Sequence, residues 1–179
     1  VMDHRKRVSV VAFEPLPEAR ARLIKRANDS GLSVALWGNA DVSVIPLALG
    51  DTDKMIDIDV YDDDTFSSLY ARSAEELKRY RLSEVQQIRV RMRPLDDLVA
   101  SGIVPPPDVV KIDVEGAELA VLRGGASTLQ TRKPPILMEY SCINTGNAGY
   151  DRRALINELE SLGYTRFFGL YRNEDRHLY

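Results

Sequence analysis

The chain contains a single cysteine, Cys142, and only two histidines, His4 and His177. One cysteine cannot form an internal disulfide, which fits a reducing compartment such as the cytoplasm. The two histidines lie near opposite ends of the chain, so no group of cysteine and histidine has the spacing of a zinc site. The sequence therefore predicts a cytoplasmic protein and no metal ligands.

Long hydrophobic runs and an excess of basic residues are also absent. The apolar stretch over residues 8–13 is far too short to span a membrane, and Glu14 and Pro15 end it. The net charge of −3 argues against a surface for general nucleic-acid binding. A length of 179 residues suffices for one domain with its own core. We therefore predict one soluble domain over residues 1–179 that does not bind nucleic acid and has no membrane span.

The stretch Asp108–Glu118 carries the strongest pattern in the chain. Short apolar residues lead to Asp113 and Glu115, and a helical pattern follows Gly116. This order is typical of a buried parallel strand that is followed by a helix. Carboxylates at such a junction are costly beside a core unless they bind something. Lys111, inside the strand, either keeps one of these acids ionised or forms a purely structural ion pair.

Other segments alternate between strand and helix patterns. Val8–Phe13 predicts a strand, and a helix that begins at Pro17 and ends at Asn28–Gly31 follows it. Ser43–Leu49 predicts a second strand, which Pro46 places at a sheet edge. The alternation predicts an α/β fold with a mostly parallel sheet. Further predicted elements are helices at Leu95–Val99, Ala117–Arg123 and Asp151–Leu162, strands at Ile136–Tyr140 and Tyr164–Tyr171, a returning strand at His177–Tyr179, and an active-site loop at Ser141–Gly149.

Two segments with strict alternation interrupt this pattern. Met55–Tyr61 has aspartates on one face, and Ile88–Arg93 has arginines on one face. We predict that these strands pair antiparallel, with aspartates opposite arginines. The charged stripes form either a solvated cross-strand ladder or a site for an anionic ligand. Asp62–Ser68, between them, is either an acidic turn or a metal-binding loop, although it lacks the glycine and final glutamate of an EF-hand.

Four predicted strands end at or beside an acid, at Glu14, Asp51, Asp113 and Glu139. Ligands of open α/β sheets bind outside the carboxyl ends of the strands. Glu14 suits the hydroxyls of a ribose, or it interacts with the N-terminus of the following helix. Asp51 suits the exocyclic amine of a base, or it is a turn residue. Together these acids imply a cofactor that contains adenosine.

The motifs at these strand ends resemble those of the FkbM-type methyltransferases. They are Ala12-Phe-Glu-Pro15, Ala48-Leu-Gly-Asp51, Pro94-Leu-Asp-Asp-Leu98, Lys111-Ile-Asp-Val-Glu-Gly-Ala-Glu118, Leu122-Arg-Gly-Gly-Ala126 and Ile136-Leu-Met-Glu139. The resemblance implies a Rossmann-like (class I) three-layer sandwich. It also implies an antiparallel C-terminal strand and a small antiparallel excursion at residues 55–93. The implied activity is S-adenosylmethionine-dependent O-methyl transfer to a hydroxyl of a sugar or other small molecule.

The same resemblance implies roles for individual residues. Glu14 would hold the ribose and Asp51 the adenine, while Asp113 and Glu115 would line the methyl-transfer site. The full set of expected residues is Asp113, Glu115 and Lys111 for catalysis, Glu14, Pro15, Leu49, Gly50, Asp51 and Asp113 for the cofactor, and Glu139 and Asn144 for the substrate. Glu115 and Glu118 have an alternative role in charge pairing at a helix N-terminus. Glu139 either touches the acceptor or supports a residue that does.

One feature of the family is absent from the sequence. FkbM-type enzymes place a first strand and a glycine-rich loop before the strand that ends at Glu14, whereas Val1–Arg7 contains no glycine. We therefore expect that the chain is a fragment or that its cofactor site is incomplete. Two alternatives follow, a non-catalytic relative of the family and an NAD-dependent oxidoreductase, because an acid at Glu14 also suits the ribose of NAD.

Overall fold

The computed structural model describes residues 8–38, 40–63 and 67–169. In chain order the elements are β1 (Val10–Phe13), α1 (Pro17–Asp29), β2 (Val34–Leu36), β3 (Val42–Ile45), β4 (Ala48–Leu49), β5 (Lys54–Tyr61), α2 (Ala74–Tyr80), β6 (Glu84–Arg93), α3 (Leu95–Ala100), β7 (Val110–Ile112), α4 (Glu118–Gly124), α5 (Ala126–Arg132), β8 (Ile136–Met138), α6 (Cys142–Asn147) and α7 (Arg153–Ser161). Within these ranges, no helix has both the length and the apolar character needed to cross a membrane.

The first sheet is parallel and has the order β1-β3-β2. Side chains of β3 alternate between its two faces, and both faces are covered. Val42 and Val44 pack against α1, where Leu23, Ile24 and Ala27 form the apolar stripe. On the other face, Ile45 packs with Leu95 and Leu98 of α3. This layering of helix, sheet and helix confirms the α/β prediction.

The second sheet contains the predicted antiparallel pair. β5 and β6 are antiparallel partners, and β4 runs parallel to β6 on its other side. Ile56, Ile58 and Val60 are buried, as the alternation predicts. Their core also includes Leu16, so the start of α1 is fixed against this sheet.

The charged faces of β5 and β6 pair across the strands, but only partly as predicted. Asp57 lies opposite Arg89, whereas Asp59 lies opposite Gln87 and accepts a hydrogen bond from its amide at 2.8 Å. Arg91 donates two bonds of 2.8 Å to Asp53, which precedes β5. These cross-strand contacts support the ladder interpretation. Since these groups are exposed to solvent, their ion pairs contribute little to stability.

The third sheet pairs β7 with β8 in parallel, and it holds the main core of the C-terminal half. Ile112 at the end of β7 packs with residues of α4, α5 and α7. Leu122, Leu129 and Leu155 of these helices are 0–1% exposed. α4 ends at Gly124 and Gly125 separates it from α5, while Gly163, after α7, has a left-handed backbone conformation.

Two predicted elements differ in the structure, and one strand, β2, lies where none was predicted. Pro46 interrupts the predicted strand Ser43–Leu49, so that β3 ends at Ile45 and β4 begins at Ala48. β3 is central in its sheet, so the edge position predicted from Pro46 is wrong. Most of the predicted loop Ser141–Gly149 is the helix α6, because the Ser141 hydroxyl caps it by accepting a hydrogen bond from the amide of Asn144.

The predicted strand Tyr164–Tyr171 is not formed over residues 164–169, which have no regular secondary structure. Tyr164 packs against the C-terminal core, and its hydroxyl donates a 2.9 Å bond to the carbonyl of Pro134. Side-chain anchoring therefore fixes the start of this segment without strand pairing. The rest of that strand and the predicted returning strand, residues 170–179, lie outside the described residues.

The end of α4 lies directly against the end of β4. A Cβ atom at Gly124 would overlap the carbonyl oxygen of Gly50 and lie 3.2 Å from the Cα of Asp51. A Cβ atom at Gly50 would overlap the side chain of Met92. Glycine at both positions therefore brings Asp51 beside the helix that follows Asp113 and Glu115.

This contact makes Gly124→Ala strongly destabilising. The added methyl group meets backbone that cannot move aside, so we expect the free energy of unfolding to fall by about 1–3 kcal/mol. Gly146→Ala in α6 is the matched control, because nothing lies within 4 Å of its Cβ position. Urea unfolding should show an unchanged or slightly raised stability for that control. Equal stability of the two variants would contradict the close contact.

Candidate active site

The turn between β7 and α4 presents Asp113 and Glu115 at the carboxyl end of β7. Glu115 and Gly116 both have left-handed backbone conformations, with φ of 50° and 106°. A glutamate in that conformation costs on the order of 1 kcal/mol and persists only where its surroundings fix it. A side chain at Gly116 would meet the carbonyl oxygen of Asn144 at 2.7 Å. The turn is therefore tightly packed against α6.

Glu118, the first residue of α4, stabilises this turn. Its side chain is buried, the residue being 2% exposed, and one carboxylate oxygen accepts bonds from the amides of Val114 (3.4 Å) and Gly116 (3.2 Å). The Tyr150 hydroxyl donates to the Gly116 carbonyl at 2.9 Å and lies 3.3 Å from Glu118. Burial, and then the charge of Glu118, raises the pKa of Tyr150 far above its usual value. This arrangement supports the alternative prediction that Glu118 acts at a helix N-terminus.

The connection between β5 and β6 also stabilises the turn, through contacts with Glu115. The Arg72 guanidinium, 3% exposed, donates a 2.7 Å bond to Glu115 and also pairs with Glu76 at 3.4 Å. The Ser68 hydroxyl donates to the Glu115 carbonyl at 2.8 Å. Both the backbone and the carboxylate of Glu115 are thus fixed by residues more than 40 positions away in the chain.

Asp113, Glu115 and Glu139 form one cluster at the ends of the adjacent strands β7 and β8. Their carboxylate oxygens lie within 4.8 Å of one another. Each acid has a protein partner. Lys111 pairs with Asp113 at 2.6 Å, as predicted, and the Asn144 amide donates to Glu139 at 2.9 Å. Such a spacing would also suit a shared cation, but the protein partners already offset part of the repulsion.

Glu139 is the member of the cluster whose ionisation is most clearly affected. Burial raises the pKa of its carboxyl, and the charge of Glu115 raises it further, with smaller effects from Glu118 and Asp113. The hydrogen bond from Asn144 opposes this shift. A carboxylate held among like charges in a crevice is typical of a functional site.

A cavity of about 130 Å³ opens beside the cluster. It lies between the turn after β7, the end of β8, α6 and the connection that contains α2. Its lining residues are Arg72, Tyr80, Glu115, Glu139, Ser141, Ile143 and Asn144. The predicted substrate residues Glu139 and Asn144 therefore share one cavity with the predicted catalytic residue Glu115.

Tyr70 connects Asp51 to this site. Burial raises the pKa of the Tyr70 phenol, and the charges of Asp51 and Glu118 raise it further. The Tyr70 ring also lies 3.2 Å from where a Cβ of Gly116 would be. Asp51 itself is exposed, whereas Leu49 packs into the core and Gly50 is buried. Asp51 is thus close enough to Tyr70 for its charge to affect the phenol.

Glu14 and Pro15 follow β1, where they begin the connection to α1. One carboxylate oxygen of Glu14 accepts a 2.8 Å bond from the amide of Leu16, at the N-terminus of α1. Burial raises the pKa of Glu14 above its usual value. Arg20 donates 3.0 Å bonds to the carbonyls of Glu14 and Pro15. Among the described contacts, none joins Glu14 to the acidic cluster, and its bond to Leu16 supports the helix N-terminal role.

Known proteins share this sequence pattern and this fold. The family model of the methyltransferase FkbM domain matches residues 1–166. The chain belongs to the FkbM methyltransferase family. It is 33% identical over 125 residues to the hexuronic acid methyltransferase AglP of Haloferax volcanii, an alignment that covers 70% of this chain and 44% of that protein.

The FkbM domain also resembles a solved structure. The crystal structure of methyltransferase FkbM from Methylobacillus flagellatus KT superposes with a TM-score of 0.51 and 18% identity. The match covers 86% of this chain and 30% of that one. At that identity the likeness shows the Rossmann-like α/β fold alone. The chain spans less than half the length of both relatives.

Several residues in and around the candidate active site were not predicted from the sequence, namely Ser68, Tyr70, Arg72, Tyr80 and Tyr150. A local signal did exist for α2, because Ser73 and Glu76 form a capping box at its N-terminus. That signal predicts a helix but not its position in space. The bond from Arg72 to Glu115 spans 43 residues, and nothing in the local sequence indicates it.

Neutralising Glu139 should stabilise the FkbM domain at neutral pH. Because the folded-state pKa of Glu139 is raised, its contribution to stability is present at low pH and is lost as pH rises through that pKa. Glu139→Gln should therefore raise the melting temperature at pH 7, and the two proteins should converge near pH 4. Glu160→Gln, at an exposed position of α7, is the control. A Glu139→Gln variant less stable than the wild type at pH 7 would contradict the expected cost of holding this carboxylate buried beside Glu115.

Proposed function

We propose that this protein is an S-adenosylmethionine-dependent O-methyltransferase that acts on a hydroxyl group of a sugar or other small molecule. The observation that carries the proposal is the cluster of Asp113, Glu115 and Glu139 beside a cavity at the ends of β7 and β8, in a chain of a methyltransferase family. The name of the Haloferax relative, a hexuronic acid methyltransferase, supports a sugar acceptor.

Methyl transfer to a hydroxyl requires that the acceptor oxygen be aligned and its proton removed. S-adenosylmethionine, when bound, supplies a methyl group on a positively charged sulfur. In our proposal Asp113 orients the acceptor hydroxyl or takes its proton. Lys111 forms an ion pair with Asp113 at 2.6 Å, which restricts the position of this carboxylate. Glu115 is the second candidate, and its fixed conformation is the kind of preorganisation that such a role needs.

The residues at the other strand ends have the chemistry that a nucleoside requires. The second oxygen of Glu14 would hold the ribose hydroxyls, since the first binds the Leu16 amide. The exposed carboxylate of Asp51 would accept a bond from the exocyclic amine of the adenine. Pro15, Leu49 and Gly50 would shape that site mainly with their backbone. The negative charge at Asp113 would balance the positive sulfur.

Binding measurements test the part of the proposal that concerns the cofactor. Titration calorimetry with S-adenosylhomocysteine should show that Glu14→Ala and Asp51→Ala each weaken binding by about 10–100-fold, the effect of one lost hydrogen bond to a charged group. Glu18→Ala, an exposed acid in the first turn of α1, is the control. Unchanged affinity of Glu14→Ala, or binding of NAD in place of the sulfur nucleoside, would contradict the assignment.

Measurement of methyl transfer tests the part of the proposal that concerns catalysis by Asp113. With labelled S-adenosylmethionine and a panel of neutral and acidic sugars, Asp113→Asn should lower the rate of methyl transfer by about 10²–10⁴-fold, the usual effect of losing a general base. Asp108→Asn is the matched control, since Asp108 precedes the same strand at its opposite end, where it is 90% exposed and pairs with Arg132. A wild-type rate for Asp113→Asn would remove Asp113 from the mechanism.

A further inference from the structure

We propose that the cavity beside Glu115 and Glu139 selects a neutral polyol as acceptor and disfavours a sugar that carries a carboxylate. This inference rests on the proposed function, because it concerns the acceptor at the same site. It differs from the acceptor that the name of the Haloferax relative would suggest, because that name specifies a hexuronic acid.

The cation that lines the cavity already has carboxylate partners. Arg72 donates to Glu115 at 2.7 Å and to Glu76 at 3.4 Å, and its side chain is 3% exposed. A carboxylate of the substrate would compete with Glu115 and Glu76 for the Arg72 guanidinium, and displacing Glu115 would leave that glutamate unpaired in the crevice. Breaking one side of a buried ion pair is strongly unfavourable. Arg72 therefore acts on Glu115 and not on an anionic substrate.

Apart from Arg72, the charged groups among the lining residues are carboxylates. Glu115 and Glu139 line the cavity, and Asp113 lies within 4.8 Å of both. Ionised carboxylates accept hydrogen bonds but cannot donate them. Neighbouring carboxylates can therefore receive the O–H donors of adjacent hydroxyls on one sugar ring. The same groups repel a substrate carboxylate over the few ångströms that separate them.

The other residues that line the cavity are compatible with a neutral sugar ring. The Asn144 amide is already directed to Glu139, and the Ser141 hydroxyl accepts from the Asn144 backbone. Tyr80 contributes an aromatic ring, on which the exposed Arg79 lies 5.9 Å from the centre. An aromatic face packs well against the apolar C–H face of a pyranose. Arg79 is the residue that would bind an anion if the proposal were wrong.

Matched pairs of sugars test this selectivity directly. Methyl glucoside and methyl glucuronide differ only in the group at C6, as do the galactose and mannose pairs. Saturation-transfer NMR should show binding of at least one neutral sugar and about tenfold weaker binding, or none, of its uronide. Glu139→Gln removes one negative charge that repels the uronide. It should therefore reduce the ratio of the two affinities, neutral sugar to uronide, by several-fold. Glu160→Gln, on the exposed face of α7, should leave the ratio unchanged.

The measurements are made both with and without S-adenosylhomocysteine, so that they do not depend on cofactor binding. Failure of the nucleoside to bind would count against the proposed function alone. Equal or tighter binding of the uronides would overturn the selectivity, and loss of that binding in Arg79→Ala would identify Arg79 as the anion receptor. Binding of none of the sugars would also overturn the proposal, because the cavity would then not be a polyol site.

Discussion

The ion pair between Arg72 and Glu115 is the interaction on which the candidate site depends. It joins the connection of the antiparallel strands to the end of the parallel strand β7, and the Arg72 side chain is only 3% exposed. The other contacts that support the left-handed conformation of Glu115 are the Ser68 hydroxyl bond, the bonds of Glu118 to the turn and the tight packing of Gly116. The small antiparallel excursion is therefore part of the site and not a peripheral insertion.

The concentration of negative charge at this end of the sheet has a clear structural basis. Buried Glu118 binds the backbone amides of the turn, so its charge is satisfied by the fold itself. Asp113, Glu115 and Glu139 lie close together near the cavity, and burial, followed by the charge of Glu115, raises the pKa of Glu139. A cationic sulfonium and a hydroxyl donor are the two kinds of ligand that such a cluster stabilises best.

Family membership and cavity chemistry answer different questions about this protein. Membership of the FkbM methyltransferase family rests on most of the chain, from residue 1 to residue 166. The acceptor depends on the few side chains around one cavity, and relatives that are 33% identical can differ at such positions. Local charge, here a guanidinium already paired with two glutamates, is therefore better evidence about the acceptor than the name of a relative.

The sequence by itself determined the elements that have a clear local period and the acids that end the strands. The alternating strands Met55–Tyr61 and Ile88–Arg93 and the helix after Asp151 were predictable because burial on one face leaves a periodic pattern. Only the tertiary structure decided the role of Arg72, the central position of β3 and the helix α6. These features depend on contacts between residues distant in the chain, or on one capping bond, and neither leaves a periodic pattern in the sequence.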